Sequence, residues 1–314
     1  MRGMWIVINT KKKFYYNSYG VNIESEIEIT EFISIDNYEF TKADISIYQM
    51  KIPEEIQEDL DRGIDKVYQE NEIWFHIRNV ATYHIKNGDT ILVYPEDGHD
   101  FNSLKAFLIW RSIGLALLQR NIPIIHGGAI VIDDKAVVFT GKSGSGKSTL
   151  TSAFRDMDYG FLTDELCVTS LDDEDNIVIM PGYPQQRLSR AAIDNLGYDY
   201  RDFVRNKNKA EMYAIPADST FINNPKRLAA IVQIEETDDI DEVTIEEFTG
   251  IKGYMGIINN MYMYSTTKYI GLNKDYYEKT VKMGKNVRFF KLKRPQGLFT
   301  VDEQVRLVLD AVHN

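Results

Sequence analysis

Residues 136–154 read AVVFTGKSGSGKSTLTSAF. The run 136–140 is apolar and rich in β-branched and aromatic residues, which predicts a buried strand. Gly141, Lys142, Ser143, Gly144, Ser145, Gly146, Lys147 and Ser148 then fit G-x-x-x-x-G-K-[ST] without a gap. From 149 to 154 the pattern turns helical. Strand, loop and helix in that order are the context a P-loop requires. The glycines let backbone N–H groups converge on phosphate oxygens, and the helix N-terminus adds partial positive charge. Lys147 reaches the β- and γ-phosphates as a point charge, and Ser148 offers its hydroxyl to Mg²⁺. The expected phosphate site comprises Gly141, Ser143, Gly144, Ser145, Gly146, Lys147, Ser148 and Thr149.

Moving outward, the chain has 314 residues, enough for one large domain or two ordinary ones. Its 44% hydrophobic content supports a sizeable core. A net charge of −11 without a basic tract argues against nucleic-acid and anionic-membrane surfaces. An anionic ligand must then be held by local groups. Cys167 is the one cysteine, which excludes an intramolecular disulfide and a cysteine metal cluster. MRGMWIVINT has no signal-peptide pattern. The most apolar stretch, 106–118, contains Arg111 and is shorter than the ~20 residues a membrane span needs. The expectation is a cytoplasmic protein, with that stretch as a buried helix.

Residues 5–50 alternate apolar and polar positions, and 5–8, 14–16, 27–29 and 45–48 are the strand candidates. Apolar spacing over 53–70 predicts a short helix. Strands follow at 73–77, 80–85 and 90–94, with Asn87-Gly88 as a hairpin turn. A helix over 104–119, capped by Asn102 or Ser103, separates the halves. The expected division is a mainly β domain at 1–100 and a P-loop domain at 101–314, α/β in class and α+β overall. Later strands are expected at 129–132, 161–165 with continuation to 170, 177–180, 228–235, 240–248 and 287–292. Helices are expected at 191–196 and 301–311. Met and Tyr at helical spacing within 250–280 read as core.

Phosphoryl chemistry also needs a metal partner and a group that orients the nucleophile. Asp164 and Glu165 lie sixteen and seventeen residues after Ser148. In a parallel α/β sheet they stand at a strand's C-terminal end, where phosphates sit. Strand neighbours point to opposite faces, which favours Asp164 alone facing the metal unless the strand ends there. His126, at the start of the strand leading into the P-loop hairpin, is a candidate to share a proton near the γ-phosphate. His76 and His84 read as structural. Arg187, Arg190, Lys207 and Lys209 form a basic segment read either as a solvated face or as a substrate-side clamp.

HGGAIVIDDKAVVFTGKSGSGKSTL followed by GFLTDEL resembles the HPr kinase/phosphorylase-like serine kinases. The likeness is closer to the HPr-kinase-related precursor-peptide kinases of lasso-peptide biosynthesis. It takes in YNSYGVNIESEIEI, IWRSIGLALLQRNIPIIHGGAI, PGYPQQRLSRAAIDNLGYD and LKRPQGLFTVDE. The resemblance implies a P-loop kinase domain of the HPr kinase-like type and ATP- and Mg²⁺-dependent transfer to a Ser hydroxyl of a peptide or protein. Asp164, His126, Lys147 and Glu165 become the catalytic candidates. Ser148, Asp164 and Glu165 become the metal side, and Arg187, Arg190 and Lys209 the substrate side. Thr149 stands where HPr kinases usually carry Glu, and Glu165 where they carry a second aspartate. With no HPr-binding signature downstream, these departures argue against HPr as acceptor and against phosphorolysis. A nucleotide-dependent switch and a small-molecule kinase remain alternatives, and the oligomeric state, homo-oligomer included, stays open.

Overall fold

In the computed structural model, residues 12–36, 42–206 and 212–313 are described. The expected strand 5–8, Lys207 and Lys209 lie outside these residues. The first half forms a seven-stranded sheet: β1 (Phe14–Ser18), β2 (Val21–Ser25), β3 (Ile45–Gln49), β4 (Lys66–Tyr68), β5 (Glu72–Ile77), β6 (Ala81–Lys86) and β7 (Thr90–Pro95). Their order is β1-β2-β3-β7-β6-β5-β4. Val21, Ile23 and Ser25 alternate into the core, as a period of two requires. The β6–β7 hairpin turns at Asn87 and Gly88, whose φ values of 54° and 69° fit the expected turn.

Two expectations in this half are corrected. Residues 27–29 are irregular although Ile27 and Ile29 are buried. The Ser25 hydroxyl bonds both the N–H and the C=O of Ile27, a local turn that ends β2. The helix expected over 53–70 is only α1 (Glu54–Asp61). Gly63, at φ 84°, caps it, with Gly63 N donating to Leu60 O and Ile64 N to Asp59 O. That Schellman arrangement releases the chain into β4.

A continuous helix, Phe101–Gln119, covers the sheet. It comprises α2 (Phe101–Phe107), a π-helical turn (Leu108–Ile113) and α3 (Gly114–Gln119). It starts earlier than expected because Asp100, rather than Asn102 or Ser103, caps it by accepting from Ser103 N. At 19 residues it is long and apolar enough to cross a membrane, yet most of it is buried within the protein. The Tyr83 hydroxyl donates to Leu104 O, tying the helix to β6.

The second half continues with β8 (Ile124–Ile132), β9 (Lys135–Gly141), α4 (Lys147–Asp156), β10 (Gly160–Thr163), β11 (Leu166–Leu171) and β12 (Ile177–Ile179). Next come β13 (Gln185–Ser189), α5 (Arg190–Leu196), β14 (Val204–Asn206) and β15 (Met212–Pro216). The chain closes with β16 (Lys226–Thr237), β17 (Thr244–Phe248), α6 (Gly250–Asn259), α7 (Lys274–Asn286), β18 (Arg288–Pro295) and α8 (Val301–His313). Strands β13, β15 and β14 make a small sheet of their own, and the other eight form the P-loop sheet. The class is mixed α/β, as expected.

The P-loop strand β9 pairs in parallel with β16 and antiparallel with β8. Strands β10 and β11 both run antiparallel to β8. The strand carrying the acids is therefore not a neighbour of β9; β8 lies between them, and β9 and β10 still point the same way. His126 is the third residue of β8, at the start of the strand as expected, although that strand begins at Ile124 rather than at 129. Within the 250–280 stretch, read as core, Met261 and Tyr262 are buried as expected but Met255 is exposed.

One hydrophobic core runs across residue 100, from Ile23, Ile45 and Tyr83 through Ile113 to Ile124, Leu166 and Phe289. The two halves also meet through polar bonds. Tyr19 N donates to Pro181 O and Ser18 Oγ to Gly182 O, both at 2.8 Å. Tyr183 packs on Phe32, ring centroids 5.4 Å apart. A second core packs β9, β16 and β18 against α4 and α8 through Phe139, Leu150, Phe154, Val232, Leu292 and Val305.

Candidate active site

The loop between β9 and α4 is shaped by left-handed glycines. Gly141 sits at φ 137° and Gly146, the cap of α4, at φ 107°. A Cβ on Gly141 would lie 2.4 Å from Ile234 O, so β16 leaves no room for a side chain there. Lys147 is half-buried and crosses the loop, its Nζ donating to Gly141 O at 3.0 Å and Lys142 O at 3.1 Å. Burial pulls its pKa down, while Glu165 and Asp164 pull it up. The buried Ser145 hydroxyl has no hydrogen-bond partner among the described residues. Arg294 braces the loop from β18: its Nε donates to Ser145 O at 2.9 Å, and it pairs with Glu236 at 3.2 Å.

Between β10 and β11 the chain pinches. Glu165 takes φ 65°, and Leu166 N donates to Asp164 O at 2.8 Å. The strand is broken here, so the alternation that favoured Asp164 alone does not apply. Both carboxylates act on Lys147. Asp164 is only 4% exposed, and its Oδ2 accepts from Arg187 N at 2.9 Å. Burial first, and Glu165 second, push its carboxyl up to about 7, against the pull of the Arg187 N–H.

His126 faces the same break. Its Nδ1 lies 3.2 Å from Glu165 O and 3.6 Å from Glu165 Oε2. A carbonyl only accepts, so Nδ1 carries the proton in this arrangement and Nε2 is the neutral ring's acceptor. Gly127 and Gly128 follow because β8 is crowded on both sides. A Cβ on Gly127 would meet Phe139 O at 2.2 Å, and one on Gly128 would meet Thr151 Oγ1 at 2.6 Å.

Lys147, Asp164, Glu165 and His126 thus converge, with Ser148 in the first turn of α4. Arg187 joins them through its main chain. Arg190 does not: it is engaged by Asp194 at 2.8 Å and stacks 3.6 Å over the Tyr200 ring.

Sequence reasoning missed three struts. Thr140 Oγ1 donates to His126 O at 2.7 Å, with Asn260 Oδ1 at 3.1 Å, and Asn260 O accepts from His126 N. Gln186 Nε2 donates to Ser148 O, while its Oε1 accepts from Ser152 and Arg155 on α4. Arg294 is the third. Asn260, Gln186 and Arg294 each sit far along the chain from what they brace, and none carries a local signal.

No family model matches the chain, and no curated protein matches it. Among solved structures, the Hpr(Ser) kinase/phosphatase from Coxiella burnetii aligns at 12% identity over 60% of this chain and 89% of that one, with a TM-score of 0.33. So loose an overlap carries no argument, and the site is read from its own residues.

Those residues fit a phosphate and a hard cation. An orphaned buried hydroxyl, a lysine resting on loop carbonyls and a helix N-terminus suit phosphate oxygens. Among the described residues no three His, Cys, Asp or Glu side chains converge on a metal. Mg²⁺ asks for less, since it binds through one or two carboxylates plus substrate phosphates. Ser148, Asp164 and Glu165 would hold it.

Proposed function

We propose that the chain is a P-loop phosphotransferase that moves the γ-phosphoryl group of ATP to a hydroxyl of a peptide or protein. A serine of a lasso-type precursor peptide is the acceptor the sequence resemblance implies. One observation carries the reading: a buried carboxyl, oriented by the Arg187 N–H, stands beside the P-loop lysine. A positioned carboxylate there suits the removal of a hydroxyl proton.

The loop's N–H groups hold the phosphates, and Lys147 leaves Gly141 O and Lys142 O to meet the β- and γ-oxygens. Bound Mg²⁺ supplies charge neutralisation there, on the side of Ser148 and the carboxylates. Asp164 takes the acceptor's proton while Arg187 N keeps the carboxyl oriented. His126 keeps Glu165 in place and presents Nε2 toward the reacting group.

The test is incubation with ATP, Mg²⁺ and hydroxyl-bearing peptides, read by mass. The expected product is heavier by one phosphoryl group. ATP hydrolysis at one rate with and without every peptide would replace this reading by a nucleotide switch.

A further inference from the structure

A cavity of about 170 Å³ opens where the irregular segment after β2, helix 101–119 and the small sheet meet. Its walls include Glu31, Lys105, Trp110, Tyr183, Arg187 and Val204. Two cations face it, and their situations differ. Lys105 is buried and neutralised: its Nζ lies 2.8 Å from Glu31 Oε1 and donates to Thr30 Oγ1 at 2.7 Å. Arg187 makes no ion pair among the described residues, and its Nε is buried without an acceptor. A buried guanidinium donor left unmade is costly, which marks it as waiting for an oxyanion. The cavity therefore holds one guanidinium without a salt-bridge partner among the described residues, its charge felt by the Asp164 carboxyl on the reaction side.

The position of that charge is informative. Arg187 N is bonded to Asp164 Oδ2 at 2.9 Å, so one residue spans the acid of the reaction and the wall of the cavity. A hydroxyl seated at Asp164 brings whatever lies within about one residue of it to the guanidinium.

We infer that this cavity is the acceptor's specificity pocket and that the acceptor carries a carboxylate within one residue of its reacting hydroxyl, held by Arg187. The inference rests on the phosphotransferase reading for the identity of the acceptor, but not for the binding itself. A planar guanidinium holds a carboxylate through two bonds. Ala106, Ile109 and Trp110 give its methylenes an apolar wall. The carboxylate belongs either to an acidic side chain next to the hydroxyl or to the α-carboxyl of the hydroxyl-bearing residue. Both present the same chemistry to Arg187.

The experiment reads binding by calorimetry, so no turnover is needed. The probes are short peptides with one Ser flanked by Glu or by Gln, and a peptide ending in Ser as the free acid or the amide. At least one acid form should bind about 10- to 100-fold more tightly than its neutral counterpart, the scale of a charge-assisted hydrogen bond. Which pair shows the gap identifies the source of the carboxylate. In Arg187→Gln the gap should close, and in Arg187→Lys part of it should return. Val204 is 59% exposed on the cavity wall, so Val204→Glu folds independently of Arg187 and should reverse the preference by repulsion. Equal binding of acid and neutral forms, or a gap that survives Arg187→Gln in a folded protein, overturns the inference. Tight acid-selective binding without phosphoryl transfer to any peptide would sink the phosphotransferase reading and leave the pocket standing.

Discussion

Two regions of the molecule bury polar side chains around a histidine, and they do so differently. In the first sheet, His84 on β6 bonds Glu72 Oε1 through Nε2 at 2.6 Å and the Tyr94 hydroxyl through Nδ1 at 3.2 Å. Both ring nitrogens are used, and burial holds the ring's pKa down. Around His126 the contacts are longer and atoms are left over. Nδ1 leans on a carbonyl, Ser145 Oγ and Arg187 Nε have no partner among the described residues, and Lys147 rests on main-chain oxygens. The first cluster is finished by the protein. The second is built to be finished by something else, which is what an orphaned buried polar group signifies at a binding site.

That contrast can be broken at its strongest point with Lys147→Ala. Phosphoryl transfer should fall by about 10³-fold, the scale of losing one preorganised charge on a developing anion. ATP binding by calorimetry should vanish while the melting curve stays near that of the wild type. Unchanged ATP binding in a folded variant would remove the P-loop assignment.

Asp164→Asn should cost ~10²-fold or more in transfer, as loss of a positioned base does. Its effect on stability should have the opposite sign. The folded carboxyl titrates near 7 against an ordinary 3.8, so between those values the folded state binds more protons than the unfolded one. Stability from this group is then full below about pH 4 and is lost as pH rises toward 7. The Asn variant should lack that slope and melt above the wild type at pH 8. A wild-type melting temperature flat from pH 5 to pH 8 would refute the burial argument.

Glu165→Gln should lose less than ~10²-fold, because this carboxylate serves the metal side rather than taking the proton. Kinetics with Mg²⁺ varied would read the change as weaker metal dependence. Losses equal to those of Asp164→Asn would mean that both acids share one task.

The smallest effect on turnover should come from the finished cluster. His84→Ala leaves the buried Tyr94 hydroxyl without its partner and Glu72 with Lys86 alone, so it should cost about 1–3 kcal/mol in urea unfolding. Its transfer rate should match the wild type. A large catalytic loss there would erase the distinction between the two regions.

Much of this was legible in local signals. The strand, loop and helix over 136–154 folded as their pattern dictates, and Asn87-Gly88 made the turn that such a pair makes. What escaped was set by distance along the chain or by backbone strain. Nothing in the residue types at 164 and 165 announces that Glu165 adopts a left-handed conformation, yet that one dihedral cancels the alternation argument. The parallel partner of β9 begins at Lys226, and the donor to Asp164 is a main-chain N–H at 187, invisible to any motif. Arg190 and Arg187 look alike in sequence, but only their neighbours separate them: Asp194 pairs with one, and the Nε of the other is buried without a hydrogen-bond partner among the described residues.

The closure of the first sheet by residues 181–183 sets an order of events during synthesis. Tyr19 and Ser18 wait for Pro181 and Gly182, and Phe32 waits for Tyr183. A nascent chain halted at residue 100 would have made every strand of the first sheet and still present an uncovered aromatic edge. Contacts between residues this far apart in the chain form slowly. The cavity, with Glu31 on one wall and Arg187, Val204 and Ala214 on the other, is completed only after those later residues have joined the chain.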